Sequence, residues 1–535
     1  MSKKIIKGQE KLILGINSVV DTVKVTLGPK GKCVAIQNSF GVPDVTRDGA
    51  TVAKNINFKD PAVDMGAALV KNASLKTEEQ AGDGSSSTAI LVKEFIEKGR
   101  RYLSDPEVNM NEIKSGMEKG VELAKEFIAK NSIPVADDLE KIRRVATISA
   151  NNDTKIGDMI VKCMEQVGTD GVITADYASG LDTTIEVTQG FKIDRGWASP
   201  HFVNSASDGK CTLDNPVIMV ISEKMSNIPP LAPILEEIAK QGRSILFIAD
   251  EIDDVVLNML AFNTIQGAIK CCVIKGIDFG DSRKNIMEDI AVSVGAKFIC
   301  PEYGISLADK ITLDMLGSAD KVVISKDSTI IYGGNGDPDR ISDRLEVLKD
   351  RYKDPGVSPY EKTKFKSRIS GLSGGVAVIR AGGASETEKN NRKATIEDAI
   401  LASQSAISEG IVAGGGYTLI EASQDIKKKL STIDDLTEDE IKGVNVISDS
   451  LPVITKTIAI NSGLSGDVVV NKLISTKTGY NAKTGEWGDL VKMGVLDSAK
   501  VLRVCLENAV STASMCLLTD SIIVEEEEEN KDNNV

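Results

Sequence analysis

The sequence predicts a multidomain α + α/β protein, in which an α/β domain is inserted into a discontinuous helical domain. The first ~130 residues and the part after about residue 376 show apolar residues at helical spacing. The middle instead alternates short β-branched runs with helical stretches. The 535 residues suffice for three to four domains at roughly 100–200 residues per domain. Because the helical pattern returns after the α/β stretch, we expect one domain to be nested inside the other.

Both helical parts combine apolar periodicity with glycine-rich turns. Near the N-terminus, apolar residues recur at helical spacing at Ile13, Ile16, Val20 and Val23, and again at Met65, Leu69, Val70 and Ala73. Glycine-rich turns are expected at 26–31, 47–51 and 81–88. Towards the C-terminus we expect helices at 394–408 and 451–460, separated by a triple-glycine turn at 414–416.

The middle of the chain alternates between strand-like and helix-like segments. Runs rich in β-branched residues predict strands at 217–221, 245–249, 271–274 and 297–300. Helices are predicted between them, at 232–241, 253–266 and 283–294. This alternation predicts βαβ units and therefore a compact α/β domain.

Composition argues against several classes of protein. The formal net charge of -14 and the pI of about 5.0 argue against a nucleic-acid binder, which carries a basic face. No apolar run approaches the roughly 18–20 residues of a membrane span, and no secretory signal is recognisable, so we expect no membrane partner. The only histidine, His201, excludes zinc hydrolysis by an H-E-x-x-H motif, and the eight cysteines form no C-x-x-C pair. The acidic run at 525–529 and the polar tail after it are expected to be disordered.

The segment Gly82-Asp83-Gly84-Ser85-Ser86-Ser87 has the residue types that a nucleoside triphosphate site needs. Backbone N–H groups at a helix start can face phosphates, a carboxylate can hold Mg²⁺, and hydroxyls can donate to phosphate oxygens. Taken alone, such a segment is more often an ordinary Gly/Ser turn with a helix cap. No Walker A motif, G-x-x-x-x-G-K-[ST], occurs in the chain, so this is not a P-loop protein.

Three weaker patterns carry possible chemistry. Asp48 lies in an Arg-Asp-Gly turn and Asp398 on a predicted helix, where a solvated face is the commoner interpretation. The segment Gly371-Leu372-Ser373-Gly374-Gly375 fits G-x-S-x-G, the nucleophile elbow of serine hydrolases. The elbow lies between a strand and a helix and needs a later histidine. Here a strand-like run at 375–380 follows the motif and His201 precedes it by about 170 residues, which argues against a hydrolase.

Taken together, these segments resemble the group I chaperonins, the GroEL-like chaperonin-60 family, over residues 9–522. The matching segments are VTLGPKG at 25–31, TRDGATVA at 46–53, KTEEQAGDG at 76–84, TISAN at 147–151, DRG at 194–196, FGDSRK at 279–284, GGVAV at 374–378, EGIVAGGG at 409–416 and GYNA at 479–482. The resemblance implies a group I chaperonin fold of three domains. These are a helical equatorial ATP-binding domain at 1–132 and 410–535, a small intermediate hinge domain at 133–188 and 377–409, and an inserted α/β apical domain at 189–376 that binds substrate and co-chaperonin.

The resemblance also implies the residues of an ATP site. The positions matching the family's nucleotide contacts are Thr26, Leu27, Gly28, Pro29, Arg47, Asp83, Gly84, Ser85, Ser86, Ser87, Gly415, Asn481, Ala482, Lys483 and Asp497. Asp398 would position or activate the attacking water, and Asp48 would assist it. Asp83 would hold Mg²⁺, while K⁺ would bind the carbonyls of Thr26 and Arg47 and the hydroxyl of Ser86.

For the apical domain, the resemblance implies an apolar surface that binds non-native proteins. The matching positions are Trp197, His201, Phe202, Leu231, Leu235, Leu257, Ala261 and Phe262. Leu235, and Leu257 with Ala261, lie on two adjacent predicted helices, and we expect them to be exposed because a promiscuous groove needs an apolar patch. The alternative is that they are ordinary core residues of the α/β domain.

Some positions depart from the family pattern without removing a catalytic carboxylate, so an active ATPase is expected. Arg47 stands in place of a lysine, serines at 85–87 in place of threonines, and Lys483 in place of an alanine. At the expected contact between rings, Lys456 is present, but Ser465 takes the position of its acidic partner. A single seven-membered ring therefore stays open beside paired rings.

The implied function is that of an ATPase coupled to protein folding. ATP binding and a small co-chaperonin lid would favour one state, non-native clients the other, so that clients are released into a ring cavity. The expected location is the cytoplasm of a bacterium or a virus-infected bacterial cell, with an organelle matrix as the alternative. A scaffold or holdase without ATP cycling is the rival function, and the intact Asp48, Asp83 and Asp398 argue against it.

Overall fold

The computed structural model describes residues 3–37, 43–135, 138–169, 171–178, 180–205, 209–277, 280–309, 311–354, 356–373, 375–433 and 435–525. The predicted tail at 526–535, Phe279 of the 279–284 motif and Gly374 of the 374–378 motif lie outside these residues. The chain forms two compact units. Unit 1 comprises Met1–Val161, Tyr177–Thr183 and Ala381–Val535, and unit 2 comprises Lys162–Asp176 and Thr184–Arg380. The division into three domains stays a prediction.

The described elements follow one another along the chain. The helices are α1 (Glu10–Val23), α2 (Gly49–Lys54), α3 (Pro61–Ala81), α4 (Ser85–Gly99), α5 (Met110–Asn131), α6 (Leu139–Ser149), α7 (Thr154–Val167), α8 (Ala232–Lys240), α9 (Asp254–Ile265), α10 (Gly280–Val294), α11 (Pro338–Lys353), α12 (Pro359–Ser373), α13 (Glu386–Glu409), α14 (Tyr417–Leu430), α15 (Glu438–Ser450), α16 (Val453–Asn461), α17 (Gly466–Thr476) and α18 (Ala499–Leu518). The strands are β1 (Lys3–Lys7), β2 (Val34–Ile36), β3 (Asp44–Thr46), β4 (Val172–Tyr177), β5 (Thr184–Ile193), β6 (Cys211–Asp214), β7 (Val217–Met225), β8 (Ser244–Ile252), β9 (Lys270–Lys275), β10 (Gly317–Ile324), β11 (Thr329–Gly334), β12 (Gly375–Ala381), β13 (Ile411–Ala413), β14 (Gly479–Asn481), β15 (Glu486–Gly488), β16 (Leu496–Ser498) and β17 (Ser521–Glu525).

Unit 1 is built from helices whose backbones pack closely. In α1 against α3, a Cβ on Gly15 would lie 1.9 Å from the carbonyl oxygen of Val63. A Cβ on Gly66 would likewise lie 2.0 Å from the carbonyl oxygen of Leu12. Each helix thus needs a glycine where it meets the other. Short two-stranded ladders, β1 with β17, β2 with β3, β13 with β16 and β14 with β15, border this helical core.

Helix α18 runs through the core of unit 1 against α3, α4 and α5. It is long and apolar enough, by length and composition alone, to cross a membrane, which corrects the expectation that no such run exists. However, 72% of its most apolar window is buried inside the structure. Since a core helix of a soluble protein passes the same test, α18 is apolar because it packs against other helices.

Unit 2 is built around one mixed sheet with the strand order β4-β12-β5-β11-β10-β7-β8-β9, with β6 paired to β10. Strands β7, β8 and β9 are parallel, and α8 and α9 connect them, which confirms the predicted βαβ units. The predicted strand at 297–300 is wrong. Ile299 makes an isolated bridge to Ile221, and the chain then turns at Pro301, which has no N–H to extend a ladder.

The G-x-S-x-G segment has the opposite context to a nucleophile elbow. It lies at the end of α12 and is followed by β12, whereas the elbow lies between a strand and a helix. The order of elements confirms the expected mismatch and leaves no support for a serine hydrolase.

Candidate functional site

A cavity of about 650 Å³ lies within unit 1. It is lined by segments that are far apart in sequence, from the loop after α1, the start of α2, the turn between α3 and α4, helices α6 and α13, and the segments around β14 and β16. Every residue assigned above to the nucleotide or to catalysis lines it. The structure therefore brings these residues together, while nucleotide binding itself stays a prediction.

The turn between α3 and α4 forms one side of the cavity. Gly82 (φ +75°) ends α3 and Gly84 (φ +92°) begins α4, both in the left-handed region that favours glycine. Between them, the carboxylate of Asp83 faces the cavity and accepts a hydrogen bond from the Gly84 N–H at 2.6 Å. Two left-handed glycines thus place a carboxylate at the start of a helix.

The N-terminus of α4 points its free donors at the cavity. Its capping residue, Gly84, has no side chain to accept the N–H groups of the first turn. Ser85, Ser86 and Ser87 form that turn and line the cavity, and their hydroxyls are half-buried. The combination of unsatisfied N–H groups, helix dipole and hydroxyls is suited to an anion such as phosphate.

The loop at 26–31 faces the α4 N-terminus. The hydroxyls of Thr26 and Ser86 are 3.4 Å apart, and Gly28 adopts a left-handed conformation (φ +85°). The guanidinium of Arg47 donates to the carbonyl oxygen of Gly28, while its buried Nε has no partner among the described residues. The Arg47 side chain therefore ties two cavity loops together, a role that the resemblance, which concerned its carbonyl, did not imply.

Asp48 lines the cavity and also caps a helix. It caps the N-terminus of α2, where its carboxylate accepts the N–H groups of Ala50 at 3.2 Å and Thr51 at 2.7 Å. A carboxylate held in this way has a fixed orientation. This fits an assisting role better than that of a mobile base.

Burial raises the pKa values of several cavity carboxylates. The pKa of Asp83 is raised by the protein atoms packed around its carboxylate and by the charge of Asp48, against the hydrogen bond from Gly84, although the residue remains exposed to solvent in the open cavity. The pKa of Asp497 is raised to about 6 by burial and by the charge of Asp83, although the N–H groups of Gly415 and Gly416 donate to it. A cation or a proton is therefore favoured on this side of the cavity.

Asp398 lies on α13 and lines the cavity. Its pKa is raised well above the ordinary value, first by burial and then by the charges of Glu78, Asp48 and Asp83. A carboxylate with a raised pKa is a better proton acceptor near neutral pH, as general-base catalysis requires. Its enclosed position on a helix fits the predicted role and contradicts a solvated face.

Glu78 is a cavity residue that the sequence reasoning missed. It lies in the last turns of α3, and burial followed by the charge of Asp48 raises its pKa to about 7. The surrounding Lys-Thr-Glu-Glu-Gln stretch has the composition of a solvated helix surface, so composition gave no signal. The spacing does indicate a position at the cavity, because Glu78 lies one helical turn before Ala81 and Gly82, the buried end of α3.

A further part of the cavity lining is formed by the β13–α14 turn and the β14–β15 hairpin. Gly415 (φ +66°) and Asn481 line it together with the buried Ala482. The Asn481 side chain accepts the N–H of Lys483 at 3.0 Å, and the Lys483 ammonium donates to the side-chain oxygen of Asn152 at 3.2 Å. Lys483 therefore spans this edge of the cavity.

The donor set fits Mg²⁺ held jointly with a nucleotide rather than by the protein alone. Among the residues that the structure describes, no group of three or more His, Cys, Asp and Glu side chains could hold a metal ion. Mg²⁺ is commonly bound by one or two carboxylates together with phosphates and waters, and Asp83 supplies one such carboxylate. For K⁺, the hydroxyls of Thr26 and Ser86 lie 3.4 Å apart, and the site formed with the carbonyls of Thr26 and Arg47 stays a prediction.

In unit 2, the expectation that the matching positions on α8 and α9 are exposed is wrong. Leu235 and Leu257 are 8% and 7% exposed, and Ala261 is 3% exposed. These residues face inwards because α8 and α9 must cover the sheet beneath them with their apolar sides. Their role in substrate binding stays a prediction.

The other matching positions of unit 2 differ in exposure. Leu231 and Phe202 are also buried, Trp197 is half-buried, and His201 is exposed. Phe262, in contrast, is 60% exposed. Only part of the matching set therefore reaches the surface of this chain.

An apolar stripe does lie on the outer face of α9. It consists of Val255, Met259 and Phe262, which are exposed at helical spacing, and Ile265 continues it at the end of the helix. Phe262 is one of the positions that the resemblance indicated, and Val255 and Met259 each lie two positions from Leu257, another of them. We refer to these four residues as the α9 stripe.

The comparisons with known proteins agree with this architecture. The chain matches the model of the TCP-1/cpn60 chaperonin family over residues 19–527. Among solved structures, it is similar to the chaperonin gp146 from the bacteriophage EL 2 (Pseudomonas aeruginosa) in the presence of ATP-BeFx. Crystal form II gives a TM-score of 0.72 at 22% identity, covering 98% of this chain and 99% of that one. Crystal form I gives a TM-score of 0.64 at the same identity and coverage.

At this identity the structural similarity shows the fold, and the family match covers nearly the whole chain. The segments quoted from the sequence lie along that same length. The chain belongs to the TCP-1/cpn60 chaperonin family.

Proposed function

We propose that this chaperonin binds and hydrolyses ATP in the cavity of unit 1 and uses it to assist protein folding. The observation that carries the proposal is the convergence, around one cavity, of residues from segments as distant as 26–29 and 481–497. A helix N-terminus, two glycine turns and carboxylates that line the cavity are the parts that a triphosphate site needs. The bacteriophage chaperonin of similar fold was crystallised with ATP-BeFx, which supports the same ligand class here.

The phosphates are proposed to lie against the α4 N-terminus, near Ser85, Ser86 and Ser87, and the base and ribose near Gly415 and the β14–β15 hairpin. Bound Mg²⁺, with Asp83 as its protein ligand, would neutralise charge on the phosphates. K⁺ is proposed at the carbonyls of Thr26 and Arg47 and the hydroxyl of Ser86. These assignments use the cavity lining and the resemblance together.

Asp398 is proposed to orient the attacking water and accept its proton. Its raised pKa and its enclosed position on α13 support this role, since both favour proton transfer at neutral pH. Asp48, fixed as the cap of α2, would hold the electrostatic environment around it.

For unit 2, we propose that the α9 stripe binds apolar segments of non-native proteins. The stripe offers four large apolar side chains between 47% and 73% exposed, on a helix with no described partner over that face. Exposed contiguous apolar surface marks binding sites in soluble proteins. A small co-chaperonin lid is the second partner proposed for this unit, from the resemblance.

We propose that the chain assembles into seven-membered rings. The family supports ring assembly, while ring size and pairing come from the resemblance. At the surface proposed to join rings, Lys456 pairs with Asp467 of the same chain at 2.7 Å, so the absent acidic partner at Ser465 does not leave the lysine unpaired. Electron microscopy of the purified protein should show seven-fold rings. The same images would show whether two rings stack or a single ring is formed.

The location is proposed from the resemblance to be the cytoplasm of a bacterium or an infected bacterial cell, with an organelle matrix as the alternative. Fractionation of the native source, with immunodetection of the chain, would separate the two.

The test of the proposed function compares the wild type with Asp398→Asn in ATP hydrolysis and in refolding of a denatured model enzyme. We expect the wild type to hydrolyse ATP and to raise the yield of refolded enzyme in an ATP-dependent way. Asp398→Asn should bind ATP with similar affinity but hydrolyse it at least roughly 100-fold more slowly, as expected for loss of a general base. A wild type that binds denatured enzyme but releases none on addition of ATP would instead establish the holdase.

A further inference from the structure

Among the described residues, five carboxylates line the cavity, and they differ in how they are held. The Asp48, Asp83 and Asp497 side chains each accept backbone N–H groups, which fix their orientation. Among the groups that act on Glu78 and Asp398 there are neighbouring charges but no hydrogen bond from another described residue. These two carboxylates are therefore free to act on a water or a ligand in the cavity.

The packing of α13 against the end of α3 brings this pair near enough for the charge of Glu78 to act on Asp398. A Cβ on Gly82 would lie 2.0 Å from the Cβ of Leu401, so the absence of a side chain at Gly82 allows α13 to approach. The Ser405 hydroxyl then donates to the carbonyl oxygen of Ala81 at 2.9 Å. Asp398 shares the face of α13 that makes these contacts, because residues three and seven positions apart are neighbours on a helix.

Glu78 occupies the corresponding place on α3. It precedes Ala81 by three positions, so its side chain lies on the face of α3 that α13 approaches. Of all charged groups acting on Asp398, Glu78 has the largest effect. The fold thus brings together two carboxylates that no described hydrogen bond holds in place.

Most of the charges around Glu78 and Asp398 are negative, so they make it harder for both carboxyl groups to be ionised at the same time. Asp48 and Asp83 act on both members, Glu79 acts on Glu78, and Glu397 acts on Asp398. Lys54 of α2 is the cation that partly offsets them at Glu78. Two carboxylates in such an environment titrate as a pair, and the charge of one makes the other a stronger base.

We propose that Glu78 is a positioning residue of the ATPase, which holds the attacking water together with Asp398. The negative charge of Glu78 also favours transfer of the proton of that water to Asp398. The inference rests on the proposed function and extends it to a residue outside the set that the resemblance indicated. In the hydrolysis step, the water oxygen bonds to the γ-phosphorus and the bond to the β–γ bridging oxygen breaks. That electron pair leaves with ADP, and the proton of the water goes to Asp398.

The test measures ATP hydrolysis by Glu78→Gln, Glu78→Asp and the matched control Glu79→Gln, which removes an exposed carboxylate at the next position of α3. We expect Glu78→Gln to lower kcat about 10-fold at neutral pH, a fraction of the effect of a general base, with the KM for ATP little changed. In a plot of kcat against pH, the acid limb is the part where kcat falls as the pH is lowered. For Glu78→Gln this acid limb should move to lower pH. Without the neighbouring charge Asp398 loses its proton more easily, so the base is ionised at a lower pH.

The two other variants separate charge from shape. Glu78→Asp keeps the charge and should retain the wild-type acid limb with a smaller loss of kcat, and Glu79→Gln should resemble the wild type. An unchanged kcat and acid limb in Glu78→Gln would overturn the inference. A higher Mg²⁺ requirement with an unchanged limb would also overturn it and make Glu78 a metal ligand.

Two further outcomes keep the test decisive. If Glu78→Gln fails to fold, the acid limb of Glu78→Asp decides, since a limb shifted away from the wild type would contradict a role based on charge. A folded wild type without ATPase activity would overturn the proposed function, whereas an active wild type with insensitive Glu78 variants would overturn this inference alone.

Discussion

At Asp497 two opposing effects act on a single carboxylate. The N–H groups of Gly415 and Gly416 favour its ionised form, while burial and the charge of Asp83 disfavour it. Burial prevails, because its pKa is raised to about 6. The hydrogen bonds therefore serve mainly to orient the side chain, and the nucleotide-free cavity holds an ionised group that it does not stabilise.

A pH dependence of stability follows from this residue. Because its pKa is higher in the folded than in the unfolded state, the folded state binds more protons, and stability is lost as the pH rises from about 4 to about 6. Asp497→Asn should therefore stabilise the nucleotide-free protein more at pH 7 than at pH 5, by about 1 kcal/mol. Thermal unfolding at the two pH values measures the difference.

Asp467 offers a control of opposite sign. The hydrogen bond from Lys456 lowers its pKa, so its contribution is present above its ordinary value and is lost only as the pH falls below it. Asp467→Asn should give no gain in stability at pH 7. A gain equal to that of Asp497→Asn would show that the effect of the latter is not due to burial.

At the scale of elements, glycines set the distance between helices. Helices α5 and α15 repeat the arrangement of α1 and α3, because a Cβ on Gly116 would lie 2.0 Å from the carbonyl oxygen of Glu440. A Cβ on Gly443 would lie 2.2 Å from the carbonyl oxygen of Ile113. Backbone atoms cannot move aside as a flexible side chain can, so these positions do not tolerate even a methyl group.

Alanine substitutions in α5 should therefore be graded. Gly116→Ala forces the backbones of α5 and α15 apart and should destabilise the protein by roughly 2–3 kcal/mol, as overpacking does. Gly120→Ala, in the same helix, meets the Cβ of Ile447 at 3.0 Å, a contact that a separation of a few tenths of an ångström relieves. Its loss should be clearly smaller in thermal unfolding, since the higher helix propensity of alanine is the same at both sites. Equal losses would show that the close backbone contact at Gly116 does not decide the stability.

In unit 2 a buried charge ties three helices together. Asp289 of α10 is fully buried and accepts hydrogen bonds from Arg344 of α11 at 2.7 Å and from Arg368 of α12 at 2.6 and 3.0 Å. Glu288 adds a bond to Arg344 at 2.7 Å. Two guanidinium groups and one enclosed carboxylate satisfy one another where none could be buried alone.

Removing the central charge should loosen α11 and α12. Asp289→Ala leaves two arginines without their acceptor and should destabilise unit 2 by roughly 3–5 kcal/mol. Limited proteolysis, read for cleavage within 338–373, measures the loss. Glu288→Ala is the matched control at the next position, where a smaller effect is expected because its side chain is partly exposed. Cleavage equal to that of Glu288→Ala would contradict a role for burial.

At the scale of the whole molecule, client binding and ATP hydrolysis are proposed to take place in different units. Phe262→Glu places a charge in the centre of the α9 stripe and should reduce capture of a denatured model enzyme at least 10-fold, about 1.4 kcal/mol of binding free energy. ATP hydrolysis should be unchanged, because the cavity residues are untouched. Light scattering of the aggregating enzyme measures capture.

The control for this prediction lies on another helix of unit 2, because Asn258, the exposed polar residue of α9, has stripe residues as its helical neighbours. Ser342→Glu adds the same charge at an exposed polar position of α11 and should leave capture unchanged. Equal losses in both variants would show that net charge, not the apolar stripe, governs binding.

For unit 2, the sequence predicted the positions of strands and helices better than it predicted which of their residues are exposed. The runs at 217–221, 245–249 and 271–274 became β7, β8 and β9, because continuous β-branched runs favour buried parallel strands. The exposed positions of α9 were not predicted, since its residues are apolar all round and periodicity does not then distinguish inside from outside. The sheet beneath α9 decides which residues are buried.

The sequence by itself determined the fold class, the family resemblance and the residue types of the nucleotide site. Turns such as Gly82-Asp83-Gly84 depend on local chemistry, so they can be recognised from a few adjacent residues. Only the tertiary structure decided that the charge of Glu78 acts on Asp398, that the Arg47 side chain reaches Gly28, and that Leu235 and Leu257 are buried. Those facts depend on how closely distant segments approach, which is set by packing and not by any local pattern.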